Sequence, residues 1–298
     1  MASLVSRVVL PLVITLRGSK RMFSSAERTL ASVAKLEKNP ARFEPPARIT
    51  RSHTVERSDV TGWPVFTVSP RAGATNRRVV YLHGGCYVFE IDPVHWAFIA
   101  KIADEAGVTV IVPIYPLAPV GVASTVVAAA ADLVASAIAD VGAENVSVVG
   151  DSAGGGMALA VAMELRDRGL DPLHAIVLIS PWLDVSCTDP RVAELAPRDP
   201  WLAAPGLRAA GALYQGDLTA DHWRVSPING SFEGLAPITM FSGTRDILNA
   251  DAHRFAALTD AANVPITFIE AEGMLHVYPI LPMPEGDEAR AVIVTDIR

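Results

Sequence analysis

The chain has 298 residues, half of them hydrophobic and 19% charged, enough apolar material for one large α/β domain or two small ones. Its 32 acidic and 25 basic residues leave a net charge of −7 with no Lys/Arg block, which argues against nucleic acid as a partner. The two cysteines, Cys86 and Cys187, have neither metal-ligand spacing nor a disulfide framework, which fits a reducing, cytoplasmic compartment and leaves a single disulfide open.

In chain order, Leu4 to Leu16 comes first, an apolar stretch interrupted by Arg7 and Pro11 and followed by Arg17, Lys20 and Arg21. It is too short to span a bilayer, so no stable membrane insertion is expected, and no small-x-small cleavage site is evident. It reads as an amphipathic helix packed on the domain. A signal peptide, and with it a secreted or membrane-associated chain, is the alternative. Residues 1–50 read as two helical pieces, broken near Gly18 and again around Asn39-Pro40 and Pro45-Pro46.

Strands follow. His53 to Asp59 and Trp63 to Val68 flank Thr61-Gly62 as an antiparallel pair, and Arg77 to His83 is a third strand. From there strand and helix alternate. Asp92-Pro93 opens a helix that Gly107 closes. Val108 to Ile114 is a continuous apolar run, expected of a strand buried on both faces. A helix from about Ser124 to Val141, the strand Val146–Gly150, the helix Ser152–Arg168 and the strand Ala175–Ser180 come next. Residues 184–235 then lose the period and are rich in Pro, Gly and Trp, as lids and binding loops often are. Pro237–Ser242, a helix near Asp251–Ala262, Pro265–Glu270 and a closing helix from about Glu285 complete an eight-stranded, mostly parallel sheet with helices on both faces.

The chemistry centres on Gly150-Asp151-Ser152-Ala153-Gly154, where the fifth strand meets a helix with G-x-S-x-G spacing. A serine hydroxyl reacts only when a base reaches it, so it must stand on a tight strand-to-helix turn. Side chains two positions away on either side would collide there, hence glycine. Three other strand ends supply partners, since sites in open α/β sheets form beyond the carboxyl ends of strands. The glycine loop His83-Gly84-Gly85-Cys86 can aim N–H groups at a developing oxyanion. Asp246, after the glycine turn that ends the seventh strand, can orient a histidine, with Asp251 as its rival; helix capping is the plainer reading of Asp246. His276, beyond the eighth strand, completes the order Ser…Asp…His. His83 precedes the nucleophile and reads as a brace for the glycine loop, while His53, His95, His174, His222 and His253 have no supporting motif.

With these residues in place, the chain from about residue 50 to 298 resembles the bacterial hormone-sensitive-lipase-like carboxylesterases of the α/β-hydrolase fold. His83-Gly84-Gly85, Gly150-Asp151-Ser152-Ala153-Gly154-Gly155, Ser180-Pro181-Trp182, Asp246 and His276 carry the resemblance. It implies hydrolysis of small carboxylic esters of short or medium chain without metal or organic cofactor. It implies a catalytic domain over residues 51–298, capped by residues 1–50 and 184–235. It also implies Ser152 as nucleophile, His276 as base and then acid, and Asp246 as orienter. The oxyanion hole would use the N–H groups of Gly85, Cys86 and Ala153, with Gly84 supporting the turn. Two positions depart from the family's pattern. Cys86 stands where a third glycine is usual, and Tyr115-Pro-Leu-Ala-Pro-Val120 lacks the usual Arg and Glu, so the brace of the glycine loop is unexplained. The same triad would serve a lipase or an amide or lactone hydrolase. A non-catalytic small-molecule receptor on the same fold is a further reading, though no triad member is missing. A homodimer stays open.

Overall fold

A computed structural model describes residues 3–59 and 62–298. The N-terminal helix runs without a break from a π-helical stretch, Val5–Val9, into α1 (Leu10–Arg17), and stops where Gly18 turns left-handed at φ 74°. α2 (Ser19–Phe23), α3 (Ala26–Lys38) and α4 (Ala47–Ser52) follow. The region therefore holds more helical pieces than the two predicted. One extra break falls at Ser25, whose extended backbone ends one helix while its side chain accepts from the Arg28 N–H to cap the next, and α4 adds a further piece after Pro46. The amphipathic reading of the first helix also needs correction. Pro11 and Ile14 are buried, but Leu4, Val8, Leu12 and Leu16 are exposed. The stretch is apolar on all sides, and a helix lays only one side on a domain.

β1 (His53–Ser58) and β2 (Val65–Pro70) form the predicted antiparallel pair, His53 opposite Pro70. Gly62 of the intervening turn has φ 76°, while Thr61 lies outside the described residues. Then come β3 (Arg78–Leu82), α5 (Pro93–Ala106), β4 (Thr109–Pro113), α6 (Ala123–Val141), β5 (Val146–Asp151), α7 (Ala153–Asp167) and β6 (Ala175–Ile179). α5 starts as its sequence promised: the Asp92 side chain accepts from the N–H groups of Val94 and His95, and Gly107 closes the helix at φ 67°. α8 (Pro190–Leu195), α9 (Ala204–Gln215), β7 (Ile238–Gly243), α10 (Asn249–Ala261), β8 (Ile266–Ala271) and α11 (Pro284–Ile297) complete the chain.

The strands form one sheet in the order β1-β2-β4-β3-β5-β6-β7-β8. β2 runs antiparallel to both its neighbours and all other pairs are parallel. α5 and α11 cover one face, α6, α7 and α10 the other, each over its own apolar core. This is the predicted architecture, and it explains why the central strands read as unbroken apolar runs. Every residue of β5, β6 and β7 is buried. By length and composition α6 is the one helix among the described residues that could cross a membrane, but Val126, Val127, Ala130, Ala131 and Val134 are buried in the core.

Residues 184–235 divide in two. α9 lies against α3 and α2, with Gly206 set so close to Phe23 that a Cβ there would lie 2.5 Å from the Phe23 Cα. Val225, Ile228 and Phe232 instead return to the core beside α7, and the Phe232 ring meets Phe255 of α10 edge-on with centroids 5.0 Å apart.

Candidate active site

The turn from β5 to α7 carries Ser152 at φ 53°, ψ −121°, a conformation that costs an L-residue roughly 1–3 kcal/mol. Its neighbours must be glycine for a measurable reason. A Cβ on Gly150 would lie 2.2 Å from the Gly154 carbonyl oxygen, and one on Gly154 would lie 2.0 Å from the Leu82 carbonyl oxygen. The end of β6 clamps the turn: the Ser152 N–H donates to the Ile179 carbonyl and the Trp182 N–H donates to the Ser152 carbonyl, both at 2.8 Å. The same segment reaches the third loop, where the Val277 N–H donates to Ser180 Oγ at 3.0 Å. Ser180-Pro181-Trp182 thus holds the serine and the histidine loop together.

His276 Nε2 lies 3.0 Å from Ser152 Oγ, and His276 Nδ1 lies 2.8 Å from Asp246 Oδ2. All three side chains are buried. Burial would push the His276 imidazolium down, but the Asp246 carboxylate outweighs it, and its pKa is raised above 6.5. Asp246 Oδ1 also accepts from the Leu248 N–H at 2.9 Å, so the capping reading and the orienting geometry are both met by one carboxylate. Asp251 faces Arg254 at 3.6 Å and makes no bond to the histidine. Among the described residues the N–H groups of Gly85, Cys86 and Ala153 donate to no acceptor, and α7 directs its N-terminus at Ser152. The Gly84 N–H is already committed, donating to Asp151 Oδ1 at 2.9 Å.

Residues 79–280 match the family model of the alpha/beta hydrolase fold. The chain belongs to the α/β-hydrolases. It is 33% identical over 221 residues to an acetyl-hydrolase of Streptomyces hygroscopicus, the match covering 72% of each chain. It is 35% identical over 229 residues to a triacylglycerol lipase of Mycobacterium tuberculosis, covering 76% of this chain and 48% of the lipase, so it spans about half the length of that relative. The crystal structure of an esterase from the bacterial hormone-sensitive lipase family superposes with TM-score 0.83 at 26% identity, over 100% of this chain and 99% of that one. The hydrolase is therefore a member of the hormone-sensitive-lipase-like esterases.

In this esterase the glycine loop is braced without the usual Arg and Glu. Tyr115 O–H donates to the His83 carbonyl at 2.7 Å, and its ring stacks on the His83 imidazole at 4.3 Å. Burial pushes the His83 imidazolium down to about 4, so His83 stays neutral. Asp151 does the rest. Its Oδ1 accepts from Tyr81 O–H at 2.6 Å and from Gly84, and its Oδ2 lies 3.3 Å from His95 Nε2. His95 Nδ1 in turn lies 3.0 Å from Asp92 Oδ1. Burial opposes both charges, yet mutual attraction wins: the Asp151 carboxyl is held low and the His95 imidazolium is held high. His95 is the residue that sequence reasoning passed over. The one clue was the acidic residue beside Ser152, which needs a buried partner. Asp199 was missed too. Its carboxylate accepts from the Trp201, Leu202 and Ile247 N–H groups, and burial beside Asp246 pushes it up to about 6. It fixes Trp201 edge-on to His276, centroids 5.7 Å apart.

Ser152 and His276 open on a cavity of about 320 Å³. Leu10, Val13, Ile14 and Phe23 of the N-terminal segment line it, with Trp201 and Leu202 of the 184–235 insertion and Cys86 of the glycine loop. A wider groove of about 840 Å³ between β8 and α11 holds none of Ser152, Asp246 or His276. Cys86 adopts φ 55°, a region where glycine is the natural occupant, which gives the departure at this position a physical cost. Cys86 and Cys187 are both buried and unpaired.

Proposed function

We propose that the chain is a serine carboxylesterase acting on small esters through an acyl-enzyme. The observation that carries this reading is the unbroken line from Asp246 through His276 to Ser152 beside three uncommitted N–H groups. Ser152 Oγ attacks the ester carbonyl as His276 Nε2 takes its proton, and Asp246 steadies the imidazolium. The oxyanion accepts from Gly85, Cys86 and Ala153. His276 passes the proton to the departing alcohol, and water then releases the acid by the same steps. Asp151, paired with His95, keeps Gly84 and so the whole glycine loop in register with the serine. Residues 1–50 and the first part of 184–235 act as the cap, a role supported by the side chains that both give to the cavity wall. The two buried free thiols favour a cytoplasmic setting.

An apolar cavity of about 320 Å³ suits short and medium acyl chains. In a p-nitrophenyl ester series, butyrate or hexanoate will be preferred and palmitate will turn over at least about tenfold more slowly. Matching turnover of p-nitroanilides would instead make the chain an amidase. In the same series Cys86→Gly will move the preference to longer chains, because it removes a side chain from the cavity wall and relaxes φ 55°. An unchanged profile would show that Cys86 does not shape the acyl site.

The pH dependence follows from His276. Only the neutral imidazole can accept the serine proton, and its pKa is raised by Asp246 against the effect of burial. Activity is therefore lost as pH falls through that raised value. The ascending limb of kcat/KM will have its midpoint above pH 6.5, with about a tenfold loss per pH unit below it. A profile flat from pH 5 to 8 would remove His276 as the base.

A further inference from the structure

The N-terminal helix leaves an apolar face uncovered. Leu4, Val8, Leu12 and Leu16, four residues apart and so on one stripe, are 72%, 52%, 56% and 77% exposed. Val9 widens the stripe. Such a run is rare on a water-facing helix and marks an interaction surface. The charge carried by its own segment narrows the kind of partner. The first 26 residues carry Arg7, Arg17, Lys20 and Arg21 and no acidic residue, in a chain of net charge −7. Lys20 is spent on the Ala196 and Asp199 carbonyls, but Arg7, Arg17 and Arg21 are exposed. Two such helices facing each other would set cation against cation, which disfavours a second copy of this chain. An apolar stripe edged by arginine instead suits a surface that is greasy inside and negative at its rim.

We propose that this helix docks the protein on an anionic phospholipid surface, lying in the interface without crossing it. At this length it cannot span, whereas a helix lying flat needs only one apolar stripe and a flanking row of cations. The placement has a functional consequence that rests on the esterase reading. The opposite side of the same helix, through Leu10 and Ile14, is a wall of the cavity that holds Ser152. The helix is thus a partition with lipid on one side and the reacting ester on the other, and esters dissolved in the surface layer would be concentrated at the cap.

Full-length protein will co-sediment with phosphatidylcholine vesicles containing 30% phosphatidylglycerol, far less with phosphatidylcholine alone, and less again in 0.5 M salt. The triple variant Val8→Ser, Leu12→Ser, Leu16→Ser will lower partitioning at least about tenfold, and Arg7→Gln with Arg21→Gln by a similar factor. None of these side chains touches the triad, so hydrolysis of soluble p-nitrophenyl butyrate will stay within about twofold of wild type. Wild-type protein that stays in the supernatant, or a triple variant that binds as wild type does, overturns the proposal. So does a triple variant that merely converts a dimer to a monomer in light scattering, which would assign the face to self-association. Loss of butyrate hydrolysis in the wild type would sink the esterase reading and leave the vesicle result standing by itself.

Discussion

Ser152→Ala will fold as the wild type does and lose about 10⁴- to 10⁶-fold in kcat on p-nitrophenyl butyrate. The size follows from the proposed mechanism, in which the hydroxyl forms the bond to the acyl carbon and His276 has no other proton to take in that step. What persists is stabilisation of the oxyanion and binding, neither of which the substitution touches. Alanine accepts the same strained φ of 53° at the same expense, and the lost contact is a single 3.0 Å hydrogen bond to His276. The unfolding midpoint should thus move by no more than about 3 °C. Labelling by a fluorophosphonate should vanish. Activity within tenfold of wild type would mean that another residue carries the acyl group.

Gly154→Ala should do the opposite, damaging the fold first and activity through it. The added carbon would lie 2.0 Å from the Leu82 carbonyl oxygen and 2.6 Å from that of His83. These are backbone atoms of β3 and its loop, so no side-chain rotation relieves the clash. α7 must move away from β3, and the glycine loop moves with it. We expect a loss of about 3–5 kcal/mol, seen as a fall of roughly 10 °C in the unfolding midpoint. Folded molecules should also retain less than about 1% of wild-type kcat, because displaced N–H donors lose most of their effect. A variant as stable and as active as wild type would show that the contact between α7 and β3 is loose.

Both substitutions fall at positions that are legible in the sequence. The sheet could be read because apolar runs such as Ala175–Ile179 report burial on both faces, and because Gly107 and Asp92 punctuate a helix locally. Ser152, Asp246 and His276 could be read because each ends a strand, and strand ends gather on one rim. What escaped depends on partners far apart in the chain. His95 looked ordinary because the carboxylate that gives it a role is 56 residues away, and Asp199 because the backbone it grips includes Ile247. The number of N-terminal helices turned on a serine cap at Ser25 and on a short helix, α4, that opens directly after Pro46. Exposure of Leu12 and Leu16 was not legible at all, since composition fixes how greasy a helix is and not which side the domain covers.

The clamp at the end of β6 has a consequence for how the enzyme will age and fail. Ser152 is held through both its N–H and its carbonyl, and the histidine loop through the Ser180 hydroxyl, by three residues, Ile179, Ser180 and Trp182, at one buried strand end. The reacting groups are thus tied by hydrogen bonds directly to the central sheet, so warming has no gentle way to disarm the site while the molecule keeps its shape. Catalysis and architecture should disappear at one temperature, and whatever survives heating should survive fully armed.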